Sequence, residues 1–272
     1  MKNFLKQMVE RYIKHDVSQS AGQIAYFGFL SLFPFIVYMN FIIHKLHLTT
    51  GDIIGVLSPI FPEEIINFIT AYIDYISSQN SYGVLSIGIV STVYLISRVI
   101  RSMEQSAQKA YGINSRRTFF GGLLVSFIVI VCIALMLVSA AMFVILSRRP
   151  VRFLLDIFGL SNMVGAILVL KWAFVIFIML IVFSLIYRLI PNKKITFASV
   201  VPGTIFALAG FLLLSSGLGV YVNFAAASSS IYGYIGTVFI TLIWIYFIGV
   251  IFVLGAEING YFDAKKENEK NT

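Results

Sequence analysis

The sequence predicts an all-α, polytopic membrane protein with six transmembrane helices and amphipathic surface helices. Three observations predict it. Hydrophobic residues make up 59% of the chain and charged residues only 12%, about half the charged share of a soluble domain. The apolar residues fall into blocks of roughly 20, the length that crosses a bilayer as a helix. Lys and Arg are distributed unevenly between alternate loops, as in multi-pass proteins. A single integral membrane domain over 1–272 follows. It is divided into a cytoplasmic N-terminal amphipathic segment at 1–20, an extracytoplasmic helical loop at 44–82 and a cytoplasmic polar tail at 261–272.

The first twenty residues are polar and lack the short apolar region of a cleavable signal. The first span is read at 21–43. Pro34 lies mid-span, where it removes a backbone hydrogen bond and kinks the helix. Gln23, Phe27, Leu30 and Pro34 share one side, so Gln23 is expected to face protein. The loop that follows is acidic, and "FPEEIINFITAYIDYISS" starts with Pro62 and two carboxylates, a helix-start pattern. Ile65, Phe68, Ile69, Tyr72, Ile73 and Ile76 then repeat at helical spacing, which predicts an amphipathic helix on the outer surface or capping the bundle.

The second span is read at 83–100, and "SRVIRSMEQSAQKAYGI" continues it on the inner side. There Ser97, Arg101, Glu104, Gln105 and Gln108 form a polar stripe, with Val99, Ile100, Met103, Ala107 and Ala110 on other faces. Arg101 and Glu104 are spaced to pair. The stripe reads as a solvated face at the membrane surface or, more sharply, as the wall of a polar cavity. The third and fourth spans lie at 119–147 and 163–187. In the fifth, at 197–224, Gly203, Ala207, Gly210, Leu214 and Gly217 share a face that lets helix backbones approach closely. Gly217 and Gly219 also offer a point where the helix could break. The sixth span, at 231–258, ends in "LGAEING".

With the N-terminus inside, fifteen of the twenty Lys and Arg fall on the inner side and four on the outer. Both termini are therefore expected in the cytoplasm, the chain lying in a bacterial cytoplasmic membrane. The same asymmetry accounts for the net charge of +8 without a nucleic-acid partner. Glu257 lies near the inner edge of the bilayer on this reading. Its expected partner is Arg188, then Arg101, then Arg98. The candidate polar-cavity or ion-pair residues are Gln23, Arg98, Arg101, Glu104, Arg188, Asn192, Glu257 and Asn259, and the packing and kink residues are Pro34, Gly203, Ala207, Gly210 and Gly217.

No phosphate loop, nucleophile elbow or Cys/His cluster is present. His44 and His47 are spaced to share a helix face but have no further ligand-type neighbours. No catalytic residue, metal or cofactor is expected.

The ordered pieces "AGQIAYFGFLSLFPFI", "YGI" at 111–113, "YRLIPN" at 187–192, "PG" at 202–203, "YGYIGTVFITLIWIY" at 232–246 and "LGAEING" at 254–260 resemble the YihY/BrkB family over nearly the whole chain. The resemblance implies six spans and imports the historical name ribonuclease BN, for which the residues offer no acid–base or metal-binding cluster. It also implies a link to envelope resistance and to transport of lipids or lipid-linked components. The expected function is therefore a transporter or flippase-like protein for a lipid or lipid-linked envelope component. Its partners would be membrane lipids and lipid-linked envelope precursors. The alternative is a non-transporting scaffold for envelope enzymes.

Overall fold

The computed structural model describes residues 2–45, 66–67, 70–71, 82–113, scattered positions between 121 and 135, 164–193, 195–226 and 233–270. All regular structure among them is helical. The helices are α1 (Lys2–Lys14), α2 (Val17–Lys45), α3 (Tyr82–Tyr111), α4 (Val164–Leu189), α5 (Phe197–Ala226) and α6 (Gly233–Lys270).

Among the described residues, three helices are long and apolar enough to cross a membrane: Trp172–Leu189 in α4, Phe197–Leu218 in α5 and Val238–Glu267 in α6. Their outer surfaces are apolar too. Leu213 is 75% exposed and Val169 is 70% exposed, an arrangement that suits lipid rather than water. With 29 and 30 residues, α2 and α3 also exceed the ~20 residues that a crossing needs, though they carry more polar side chains. In the expected third span, Val125, Val129 and Cys132 are buried, whereas Leu124, Phe127, Val131 and Leu135 are exposed. That alternation has the period of a helix with one packed face.

Helix α6 is the hub, packing against α5, α2, α3 and α1, while α2 lies along α3 and α4 along α5. Small residues set how closely these helices approach. A Cβ added at Gly203 would overlap the Gly255 carbonyl oxygen, and one at Gly260 would overlap the Ala110 carbonyl oxygen. Ala207 is fully buried on the same face of α5, and Gly210 lies against Ile251. The expected packing face ends there: Gly217 is exposed with nothing near its absent Cβ. Nor do Gly217 and Gly219 break the helix, since α5 runs through both. Pro34 and Pro202 are likewise contained within α2 and α5.

Helix α1 is short and two-faced. Phe4, Met8, Arg11 and His15 face the bundle, and Phe4 meets Tyr261 of α6 edge-on at 5.2 Å. Leu5, Val9 and Ile13 form an exposed apolar stripe. The elbow into α2 turns on Asp16, whose φ of 53° is a left-handed conformation that Asp tolerates better than most residues. At the far end of α3, Gly112 has φ 65°. Its N–H bonds to the Lys109 carbonyl, and the Ile113 N–H reaches the Gln108 carbonyl. This left-handed glycine cap satisfies carbonyls the helix leaves open.

Helix α6 continues through the residues expected to form the polar tail and reaches Lys270. Of the amphipathic helix expected in the 44–82 loop, Ile66, Asn67, Thr70 and Ala71 are helical. Its other positions, and the side chains of His44 and His47, lie outside the described residues.

Candidate functional site

Two groups of polar side chains differ sharply in character. The first closes one end of the bundle around "LGAEING". Glu257 is 1% exposed. Its Oε2 accepts from Arg11 Nη1 at 3.1 Å, and its Oε1 lies 2.6 Å from His15 Nδ1. The same Arg11 nitrogen donates to the Ala110 carbonyl at 3.1 Å, one of the last-turn carbonyls of α3 that has no intrahelical donor. Lys109 adds a hydrogen bond to the His15 carbonyl at 3.4 Å and an ion pair with Asp16 at 3.8 Å. One guanidinium thus fastens α1 to α3 and α6 together.

This corrects the expected partner of Glu257. Arg188 is committed elsewhere: its Nε donates to the Ile195 carbonyl at 3.1 Å, and its guanidinium lies 4.1 Å over the Phe197 ring. It braces the turn between α4 and α5. Arg98 and Arg101 are not level with Glu257 either. The level is marked by Ala110, and Arg98 lies twelve residues back along α3, ~18 Å at 1.5 Å per residue.

Around the same end, Tyr187 is fully buried, donates to the Phe252 carbonyl at 2.9 Å and stacks on the Phe252 ring at 5.0 Å. A side chain at Gly255 would overlap the Tyr187 hydroxyl. "YRLIPN" and "LGAEING" therefore fit each other through a tyrosine and a glycine. Asn259, fully buried, accepts from the Gly203 N–H at 2.7 Å, next to Pro202, which has no N–H of its own. Lys193 bonds Asp263 at 2.8 Å and Glu267 at 2.7 Å. Burial alone would lower its pKa, but these two carboxylates outweigh burial and raise it. Burial, with Asp263 nearby, also pushes the Tyr111 phenol up, so it stays neutral. Asn192 is half-buried in the turn after α4.

The second group lies along the seam of α2 and α3. Tyr94, Arg98, Arg101 and Gln105 recur at helical spacing on one exposed face of α3. Buried Ser102 donates to Gln23 of α2 at 3.3 Å, and the Arg98 guanidinium sits 4.9 Å over the Phe27 ring. Gln23, expected to face protein, meets α3 through this bond while its side chain stays exposed at the seam. Neither Arg finds a carboxylate among the described residues. The expected Arg101–Glu104 pair is not made, and Glu104 accepts from Gln108 at 3.2 Å instead.

The depth of Arg98 follows from its neighbours. Phe27 precedes Gly28, whose absent Cβ would lie 3.3 Å from Ile245 Cγ2. Ile245 falls inside the apolar run Val238–Glu267, twelve residues or ~18 Å before Glu257. The Arg98 side chain is too short to carry its charge back to the polar end. Gln23, Arg98 and Arg101 are thus brought together, with Glu104 on the same helix. Arg188, Asn192, Glu257 and Asn259 stand apart from them. Sequence reasoning missed Arg11, His15 and Tyr187. The i, i+4 spacing of Arg11 and His15 on the face shared with Phe4 and Met8 is the signal that could have found the first two.

Among the described residues, no three His, Cys, Asp or Glu side chains gather as a metal site. The family model for virulence factor BrkB matches residues 8–272. The ribonuclease-like protein YfkH of Bacillus subtilis is 29% identical over 97% of each chain. The UPF0761 membrane protein PSHAa0171 of Pseudoalteromonas translucida is 24% identical over 93% of this chain and 83% of its own. No solved structure matches the chain.

Proposed function

We propose that this chain, which belongs to the virulence factor BrkB family, is a transporter or flippase-like protein that moves a lipid or lipid-linked envelope component. One observation carries the reading. Arg98 is exposed, without a carboxylate partner among the described residues, at the level of the apolar middle of α6. A charge at that depth is costly unless water or a polar ligand accompanies it, and intramembrane charges mark substrate paths. The polar stripe from Arg98 through Arg101 and Gln105 to Gln108 runs from that depth toward the polar end of the bundle. A headgroup could travel along it while its acyl chains stay in lipid.

In this reading the chain crosses the inner membrane six times with both termini in the cytoplasm. Single-cysteine variants at Ser78 and Ser228 should be labelled from outside by an impermeant reagent, and one at Ser115 spared. Labelling of Ser115 alone would reverse the orientation.

The functional test is reconstitution into vesicles carrying headgroup-labelled lipid, with translocation read as label becoming accessible to a membrane-impermeant quencher. Movement above protein-free vesicles that falls in Arg98→Gln supports the reading. Equal rates with and without protein, across neutral and anionic lipids, would leave the scaffold alternative.

A further inference from the structure

We infer that Arg98 and Arg101 form a binding site for the phosphate of an anionic lipid headgroup. The inference rests on the transport reading above and names the substrate class.

The chemistry comes from what surrounds the two guanidiniums. They are one helical turn apart on α3 and both exposed. No carboxylate neutralises either of them among the described residues. Arg forks match phosphate oxygens in a bidentate manner, which makes the pair a phosphate reader rather than a general anion sink. Gln23 and Gln105 flank the pair and add neutral donors for ester or hydroxyl oxygens. The Arg98 guanidinium carbon lies 4.9 Å from the Phe27 ring centroid, and exposed Tyr94 lies one turn deeper.

Two features select a lipid over a soluble anion. The site lies within the apolar level of the bundle, and its neighbours on the same faces, Tyr26 and Val90, are 57% and 70% exposed apolar side chains. A ligand arriving here would have to bring its own hydrocarbon. Among the described residues no carboxylate pairs with either Arg, so the two guanidiniums keep their positive charge for the ligand. The favoured headgroup is therefore a phosphate ester with net negative charge.

The test measures binding rather than transport, so the two readings can fail separately. The full-length protein in detergent is loaded with fluorescent phosphatidic acid, and competitors displace it. Unlabelled phosphatidic acid and phosphatidylglycerol should compete. Dioleoylglycerol, which lacks phosphate, should compete at least about tenfold more weakly, the worth of a lost charge-assisted hydrogen bond, and inorganic phosphate, which has no acyl chains to bury, should also compete at least about tenfold more weakly. The double variant Arg98→Gln, Arg101→Gln should lose affinity by about tenfold or more on the same grounds. Gln23→Leu should weaken binding less, and it keeps the inference testable should the double variant misfold. Arg188→Gln, which alters a paired Arg remote from the seam, should bind as the parent does.

Unchanged affinity in a folded double variant would overturn the inference. So would equal competition by dioleoylglycerol. Inorganic phosphate competing as well as phosphatidic acid would reassign the site to a soluble anion. Disulfide dimers formed in membranes by Ser97→Cys would show that a second copy covers the face, and the lipid site would fall. Binding that survives without any translocation would sink the transport reading and leave this one standing.

Discussion

The last turn of α3 and its middle treat arginine and its surroundings in opposite ways. At Ala110 the helix finishes in a knot where Arg11, His15, Lys109, Asp16 and Glu257 are all engaged. At Arg98 and Arg101 two cations stand exposed with no ion pair among the described residues. Breaking a buried pair costs far more than losing a charge that has no partner. The difference therefore separates residues that hold the bundle together from residues whose cost the bundle tolerates for another reason. The comparison can be broken or sharpened by substitution.

The largest effect should come from the helix contacts beneath the knot. Gly260→Ala places a methyl on the Ala110 carbonyl, and Gly203→Leu forces α5 away from α6. Each should cost about 3 kcal/mol or prevent folding, the upper range for overpacking. Gly217→Ala, in open space, should not destabilise. Thermal unfolding in detergent decides it, and equal midpoints for Gly260→Ala and Gly217→Ala would contradict the close approach.

Next in size is the clasp itself. Glu257→Gln should cost at the lower end of about 3–5 kcal/mol, because it leaves Arg11 and His15 without their carboxylate while both keep some solvent. A double-mutant cycle with Arg11→Met should show strong coupling, and one with Arg188→Met should be additive. Coupling to Arg188 instead would show that the clasp has been assigned to the wrong helix.

At the seam the stability effect should be near zero. Arg98→Gln and Arg101→Gln remove no ion pair, so unfolding should shift by no more than about 0.5 kcal/mol while lipid binding falls. A loss comparable to that of Glu257→Gln would make the seam structural and erase the contrast.

The smallest effect is a pH dependence at Lys193. Its folded pKa is raised above the ordinary 10.5 by Asp263 and Glu267. The stabilising contribution is therefore complete below pH 10.5 and is lost as pH rises through the folded value. With Lys193 partly exposed, the contribution is under about 1 kcal/mol. The gap between the parent and Lys193→Gln should close only at strongly alkaline pH. A gap that closes near neutrality would assign the dependence to another group.

The helices were legible because apolar blocks are long and their flanks are charged. The buried face of α3 was legible as well: Ile100, Ala107 and Ala110 were set apart from the polar stripe by spacing alone, and all three are buried. Depth was not. The second span was ended at its first charges, which placed Arg98 at the membrane edge beside Glu257. The helix runs on to Tyr111, and Ala110 is the residue level with Glu257. A hydropathy boundary marks where side chains change, not where the bilayer stops. The Glu257 partner was illegible for a different reason. Pairing across helices distant in sequence depends on how α1 folds back, and its elbow at Asp16 leaves little trace in spacing or composition.

Arg11 and Glu257 are separated by 246 positions. Synthesis at 5–20 residues per second puts roughly 10–50 s between the two. Throughout that interval α1 has been made and its acid has not. Until α6 arrives, α3 can hold the first helix, through Arg11 on the Ala110 carbonyl and Lys109 on His15 and Asp16. A chain truncated before Glu257 would hold α1 by its α3 contacts and would lack the carboxylate that Arg11 and His15 share.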